Sequence, residues 1–177
     1  MTAQFSAAVP QRPEGPISKF WEGKFNGLTP GKSAFTIAWK EIASTQEKAF
    51  QTAQHDFIKR IYFDPLVSHI KETTSLDLTT RSHALQNAVW STAVQHGPNN
   101  KIISNALDNL KVKGQDVSSE DKFDEHLIEA IYAERGRRQA DDRLVYFSRN
   151  SPDVQKGVAN RFVAELADAL KMLKDET

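Results

Sequence analysis

Apolar residues recur along most of this chain at steps of three and four, the spacing of one helix face. Ser33 is placed to cap a first helix presenting Phe35, Ile37, Trp39 and Ile42. The run Ser44-Thr-Gln-Glu47 reads as a capping box, in which the serine and glutamate side chains satisfy orphan backbone donors. Behind it Phe50, Ala53, Gln54, Phe57 and Ile61 share a face. Asp64-Pro65 is expected to break that helix and open the next, DPLVSHIKE, because Asp caps well and Pro suits the first helical position. Leu85, Ala88, Val89, Thr92 and Ala93 form a stripe that stops at His96-Gly97-Pro98. Ile102, Ile103, Ala106, Leu107 and Leu110 predict a short helix, and residues 111–120 a polar loop. Ser119 is placed to cap a helix carrying Phe123, Leu127, Ile128, Ile131 and Tyr132. Residues 139–147 are ambiguous. Ser151-Pro152-Asp153 opens a last helix that buries Val154, Val158, Phe162, Leu166, Ala169, Leu170 and Leu173. The pattern predicts an all-α fold of six or seven helices with no strand.

The segment before Ser33 follows no such period. MTAQFSAAVPQRPEGP holds three of the seven prolines, and proline fixes φ and removes a donor, so an extended arm is expected. GKFNGLTPGK carries three glycines and a proline and reads as a loop. The expected organisation is an arm and loop over residues 1–32 and a helical domain over 33–177.

Composition narrows the classes of function. The 177 residues suit one domain. Lys+Arg and Asp+Glu both number 23, so neither the basic excess nor the basic cluster of a nucleic-acid partner is present. With no cysteine there is no disulfide, thiolate metal site or cysteine nucleophile. No apolar run reaches the roughly 18 residues of a membrane span. The N-terminus lacks the charged start and apolar core of a Sec signal. Synthesis in the cytoplasm is therefore expected, with any delivery to the periplasm, cell wall, virion or secretion particle by another route.

Candidate chemistry is sparse. None of the five histidines stands at the HExxH spacing, so no metal site and no cofactor is expected. His83 and His126 read as solvated helix residues. His96 lies at a helix C-terminus, where the macrodipole favours a cationic imidazole. It is either a structural helix-end histidine or a residue at a functional rim. Glu134-Arg135-Gly136-Arg137-Arg138 offers planar guanidinium forks to hydroxyls or carboxylates, or else an internal ion-pair network. Glu41 and Glu47 read as solvated and Asp64 as a cap. Trp39 and Trp90 fall on faces expected to be buried.

AFTIAWKEIASTQEKAFQTAQHDFIKRIYFDPLVSHIK, over residues 34–71, followed by ALQNAVWSTAVQHGPN, resembles the chitosanases of glycoside hydrolase family 46. It is more similar still to the chitosanase-like muramidase domains fused to type VI secretion spike proteins and found in phage lysins. Four elements carry the resemblance in order: F-T-x-x-W, F-x-x-A-Q-x-D, Y-F-D-P and V-Q-H-G-P. IEAIYAERGRR resembles the family's segment before its last helix. The resemblance implies a lysozyme-superfamily, chitosanase-like fold and hydrolysis of a β-1,4 amino-sugar strand by a general-acid Glu and an Asp that activates water. It implies peptidoglycan as the glycan in secretion and phage members. It also places His96, Asn99 and Arg135 at substrate-binding positions.

One departure bears on activity. The family's two catalytic carboxylates precede the F-T-x-x-W element, whereas here the only acidic residues before Phe35 are Glu14 and Glu22, and no Asp occurs until Asp56. Two expectations follow. One is a hydrolase with a displaced acid, Glu22 or Glu14, with Phe20, Trp21 and Phe25 supplying the apolar pocket that raises an acid's pKa. The other is a catalytically silent glycan- or partner-binding module of a phage tail or secretion particle. In that case a protein partner or a second copy covers the apolar surface left by the incomplete first lobe.

Overall fold

The computed structural model describes residues 21, 23–112 and 120–176. Among them the chain is helical and forms no strand, as the periodicity predicts; one isolated antiparallel bridge joins Arg138 and Leu144. The helices are α1 (Ser33–Thr45), α2 (Glu47–Ile58), α3 (Asp64–Thr74), α4 (His83–His96), α5 (Ile102–Val112), α6 (Glu120–Arg135) and α7 (Pro152–Glu176). A π-helical turn spans Lys59–Phe63, and 3-10 turns span Leu78–Thr80 and Val145–Phe147. No described helix is long and apolar enough to cross a membrane. The chain divides into two compact units between Ile61 and Tyr62.

The N-terminal unit packs around rings. Trp21, Ile42 and Phe50 are its buried cluster. Trp21 meets Phe50 edge-on at 5.1 Å, Trp39 meets Phe50 at 4.8 Å, and Phe25 lies 4.8 Å from Phe35. The Trp21 indole N–H donates to Gln46 Oε1 at 3.0 Å, giving the buried ring its polar partner. Gly27 and Gly31 take positive φ in the turns that lead to α1, the backbone region glycine enters without a Cβ clash.

Three expectations fail in this unit. Lys32, not Ser33, occupies the cap position of α1, with no side-chain cap bond. The buried residues of α1 are Ala38 and Ile42, one turn apart, whereas Ile37 is 66% and Trp39 40% exposed. Phe35, Ile37 and Trp39 are spaced by two, which spreads them around a helix instead of along one face. The capping box does not form either. α1 continues to Thr45, and the Ser44 hydroxyl donates back to the Glu41 carbonyl at 3.0 Å in the preceding helical turn instead of capping α2.

Asp64-Pro65 opens α3 as expected, with Pro65 in its first turn, but Asp64 is not the cap and the helical path is not interrupted there. Phe63 keeps helical dihedrals, and the π turn runs directly into α3. Proline lacks an N–H and its ring crowds the preceding turn. A widened turn ahead of it relieves that crowding without ending the helix.

The C-terminal unit is aliphatic and larger. Leu66, Ile70, Leu85, Ile102, Leu127, Ile128 and Ile131 have about one percent exposure or less. The expected stripes of α4, α5 and α6 are all buried. Ser82 caps α4, accepting from Leu85 N at 3.2 Å, and Gly97 at φ 84° ends it. The expected Ser119 cap lies outside the described residues. In α7 Phe162 and Ala169 are buried, and Val158, Leu166, Leu170 and Leu173 pack against the core. Val154, expected inside, is 46% exposed, and Gln155 is buried beside it instead.

Candidate functional site

The sequence-selected residues of the C-terminal unit converge where α4 ends, α6 ends and α7 passes. His96, in the last turn of α4, packs edge-on against Tyr146 at 5.3 Å and Phe147 at 5.6 Å, and lies 6.5 Å from Phe162. The segment left ambiguous by the sequence supplies two of those three rings. Burial, with Arg135 and Arg161 nearby, pushes the His96 imidazole down to about 4. The cationic histidine expected from the helix dipole is therefore overturned. Desolvation and two guanidinium charges outweigh a half-charge that acts only over the last turn. Its Nε2 is buried and makes no hydrogen bond.

Arg135 has no exposed surface. Its guanidinium lies 4.4 Å over the Phe162 ring and 4.7 Å over the Tyr132 ring. Nη2 donates to Gln95 Oε1 at 2.5 Å and to Ser91 Oγ at 3.2 Å. Nη1 stands 3.1 Å from Glu165 Oε2 as an ion pair off the hydrogen-bond axis, and Nε has no partner. Glu165 also receives Ser91 Oγ at 3.0 Å, Tyr132 OH at 3.3 Å and Arg161 Nε at 3.1 Å. Burial raises the Tyr132 hydroxyl to about 12, which keeps it a donor. Two rings, two neutral side chains and one carboxylate thus compensate the buried cation.

Next to Arg135 in sequence, Glu134 is 3% exposed. It accepts from Asn105 Nδ2 at 2.8 Å, from the Tyr146 hydroxyl in a very short bond, and from Arg137 Nε at 3.0 Å. Burial alone would raise this carboxyl, but the three donors outweigh it and hold the group below the ordinary glutamate range. A general acid needs the opposite shift. Glu134 is thus a fixed acceptor that ties α5, α6 and the 145–147 turn together.

Of the expected substrate-binding residues, the structure brings His96 and Arg135 to the same aromatic cluster through Phe162. Asn99 sits exposed in the turn after Gly97 and joins none of these contacts. Glu14 and Glu22 lie outside the described residues. A fully buried guanidinium reaches a ligand only through the residues it holds, so Arg135 is a positioning group in this arrangement. The described residues contain no cluster of three side chains able to hold a metal. Sequence reasoning missed Ser91, Tyr146 and Glu165. The one available signal was Arg161-x-x-x-Glu165, an i,i+4 ion pair on a helix.

Comparison with known proteins places this arrangement in a family. Residues 16–166 match the model of the type VI secretion system spike protein VgrG3-like C-terminal family. The chain belongs to that family. It is 37% identical over 102 residues to the type VI secretion system spike protein VgrG3 of Vibrio cholerae serotype O1. That match covers 58% of this chain and 9% of the Vibrio protein, so the chain corresponds to a small part of that relative.

Proposed function

We propose that this chain is a peptidoglycan-directed, muramidase/chitosanase-like domain that works with a type VI secretion spike. The supporting observation is the meeting of two motifs that lie far apart in the sequence. V-Q-H-G-P supplies His96 and Y-A-E-R-G-R supplies Arg135, and both settle on Phe162. A cleft-wall role for the pair, as the chitosanase resemblance implies, needs that juxtaposition.

In this reading the helical body recognises and orients an amino-sugar strand, and Glu22 or Glu14 supplies the proton when the strand is cut. Delivery follows the spike, and no cofactor takes part. The expected readout is new reducing ends released from purified peptidoglycan, with chitosan in parallel. Glu22→Gln or Glu14→Gln abolishes release while leaving the circular dichroism spectrum unchanged.

A second reading, a silent glycan- or partner-binding module, draws on a different observation. Glu134 is held ionised by Asn105, Tyr146 and Arg137, and Glu165 is committed to Ser91, Tyr132, Arg135 and Arg161. The two carboxylates nearest the site are thus occupied by structural work. Folded protein that pellets with sacculi yet releases no reducing ends decides for this reading. The acid then has to be sought on a partner chain of the particle or in a second copy.

A further inference from the structure

A groove of about 580 Å³ lies within the C-terminal unit, apart from the His96–Arg135 cluster. That size falls in the range of small-ligand sites. One wall is the turn between Arg137 and Val145, and the other is the first turns of α7. The turn is fixed at both ends: Val145 N donates to Arg137 O at 2.9 Å and Gln139 N to Arg143 O at 2.8 Å. Leu144 beneath it has no exposed surface and donates its N–H to Gln155 Oε1 at 2.9 Å. Gln155 in turn donates to Asn150 O at 2.9 Å, tying the turn to α7. Asp142 is held at φ 65°, a left-handed conformation that Asp tolerates better than most residues. A rigid turn with an unusual backbone and exposed charge is a common carrier of binding function.

The charges on the two walls are unequal in availability. On the turn, Arg143 donates to Asp141 at 2.7 Å and to Ser148 O at 3.3 Å. Arg138 spends Nη1 on the Asp142 carbonyl at 2.6 Å, and the Asp142 carboxylate stands 3.4 Å away and is 86% exposed. On the helix wall Lys156 is exposed and has no ion-pair partner among the described residues, and Asn160 is exposed one turn on. The groove therefore offers a weakly held carboxylate on one side and an unpaired ammonium with an amide on the other. A ligand matching both carries a cation and an anion within one short segment.

We propose that this groove binds a short zwitterionic peptide of the kind that branches from peptidoglycan, whose stem bears free carboxylates and the amino group of a diamino residue. The identity of that peptide rests on the peptidoglycan reading above; the demand for paired charges rests on the groove. Lys156, with Asn160 beside it, takes a stem carboxylate. Asp142, preset by its turn, takes the amino group. The site then reads the peptide, leaving the sugar to other surfaces, and separates cross-linkable wall from bare amino-sugar polymer.

The test uses the full chain labelled for NMR and three probes: a disaccharide-tetrapeptide containing a diamino acid, the same disaccharide without peptide, and intact sacculi. The peptide-bearing probe is expected to shift amides of residues 138–143 and 156–160. Lys156→Glu is expected to weaken its binding about tenfold, since like charges then face each other. Asp142→Asn weakens it less, and neither variant changes binding of the peptide-free disaccharide. Both side chains are exposed, so folding is not at stake. Equal affinity for the two soluble probes, or an unchanged affinity in Lys156→Glu, overturns the inference. If the chain still pellets with sacculi in that case, the peptidoglycan reading stands without this groove. Neither pelleting nor muropeptide binding overturns both.

Discussion

The two units of this chain solve the same problem with different material. The C-terminal unit buries leucines and isoleucines from four helices, with Phe162 and Ala169 of a fifth, in one continuous core. The N-terminal unit, among the described residues, buries a tryptophan, an isoleucine and a phenylalanine and leaves Ile37, Trp39 and Phe57 at the surface. Aliphatic side chains interlock and punish any void, whereas a few large rings cover area quickly and hold one another edge to face. The unit with the interlocked core also carries every buried charge described. A buried guanidinium needs closely packed walls, and the C-terminal unit supplies them around Arg135.

The sharpest test of this contrast truncates one isoleucine in each unit. Ile131→Ala, in a side chain with no exposed surface, is expected to cost about 3–4 kcal/mol in urea unfolding followed by circular dichroism. Ile42→Ala, 1% exposed but ringed by a small cluster, is expected to cost about 2 kcal/mol, because the site collapses more easily. An equal or larger loss for Ile42→Ala breaks the contrast.

Next in size is the buried cation. Glu165→Gln leaves Arg135 with its rings and its bonds to Ser91 and Gln95 but without its counter-charge. A loss of about 2–3 kcal/mol is expected, below the 3–5 typical of a fully buried pair because the glutamate is 28% exposed. A double-mutant cycle with Arg135→Met checks the assignment. The double variant is expected to recover stability relative to Glu165→Gln alone, and failure to recover removes charge compensation as the cause.

Legibility in the sequence divides along the same line. Helix existence, the stripes of α4, α5 and α6 and the Gly97 stop were all readable, because aliphatic burial leaves a period and a φ-positive glycine leaves a mark. Ile37 and Trp39 were misplaced because a spacing of two spreads residues around a helix, so neither shares the buried face of Ala38 and Ile42. The Ser44 box failed because a four-residue signature does not say whether the preceding helix has ended. At the site, His96 and Arg135 were marked by their motifs, but their environment was not. Tyr146 and Phe147 lie in an irregular segment whose approach to α4 depends on Leu144 being anchored by Gln155. No local pattern encodes that contact, and it reversed the expected charge of the histidine.

That reversal has a measurable pH signature. Unfolded, the imidazole takes a proton below about 6.5; folded, it stays neutral down to about 4. Its contribution is therefore complete above pH 6.5 and declines as the pH falls toward 4. At about 1.36 kcal/mol for each tenfold the ceiling is about 3.4 kcal/mol. Solvent at the partly exposed ring reduces it to about 2 kcal/mol. His96→Phe keeps the packing against Tyr146, Phe147 and Phe162 and removes the titration. Stability measured at pH 7 and pH 4.5 should fall less in the variant than in the parent by about that amount. An identical fall in both shows that His96 is solvated and that the rings do not enclose it.

The smallest effect belongs to the N-terminal unit, where Lys24 pairs with Glu41 at 2.6 Å. The two side chains are 40% and 52% exposed, so solvent and salt screen their attraction and ordering two long chains offsets much of it. Lys24→Ala is expected to change stability by about 0.5 kcal/mol or less, and raising the salt concentration should erase even that. The comparison matters because Lys24 stands beside Phe25, whose ring packs on Phe35 and Trp39. If the unit is held by its rings, deleting the neighbouring charge is nearly silent while Phe25→Ala is not. A salt-sensitive loss above about 1 kcal/mol for Lys24→Ala would mean that charge, not aromatic packing, sets the path of the chain into α1.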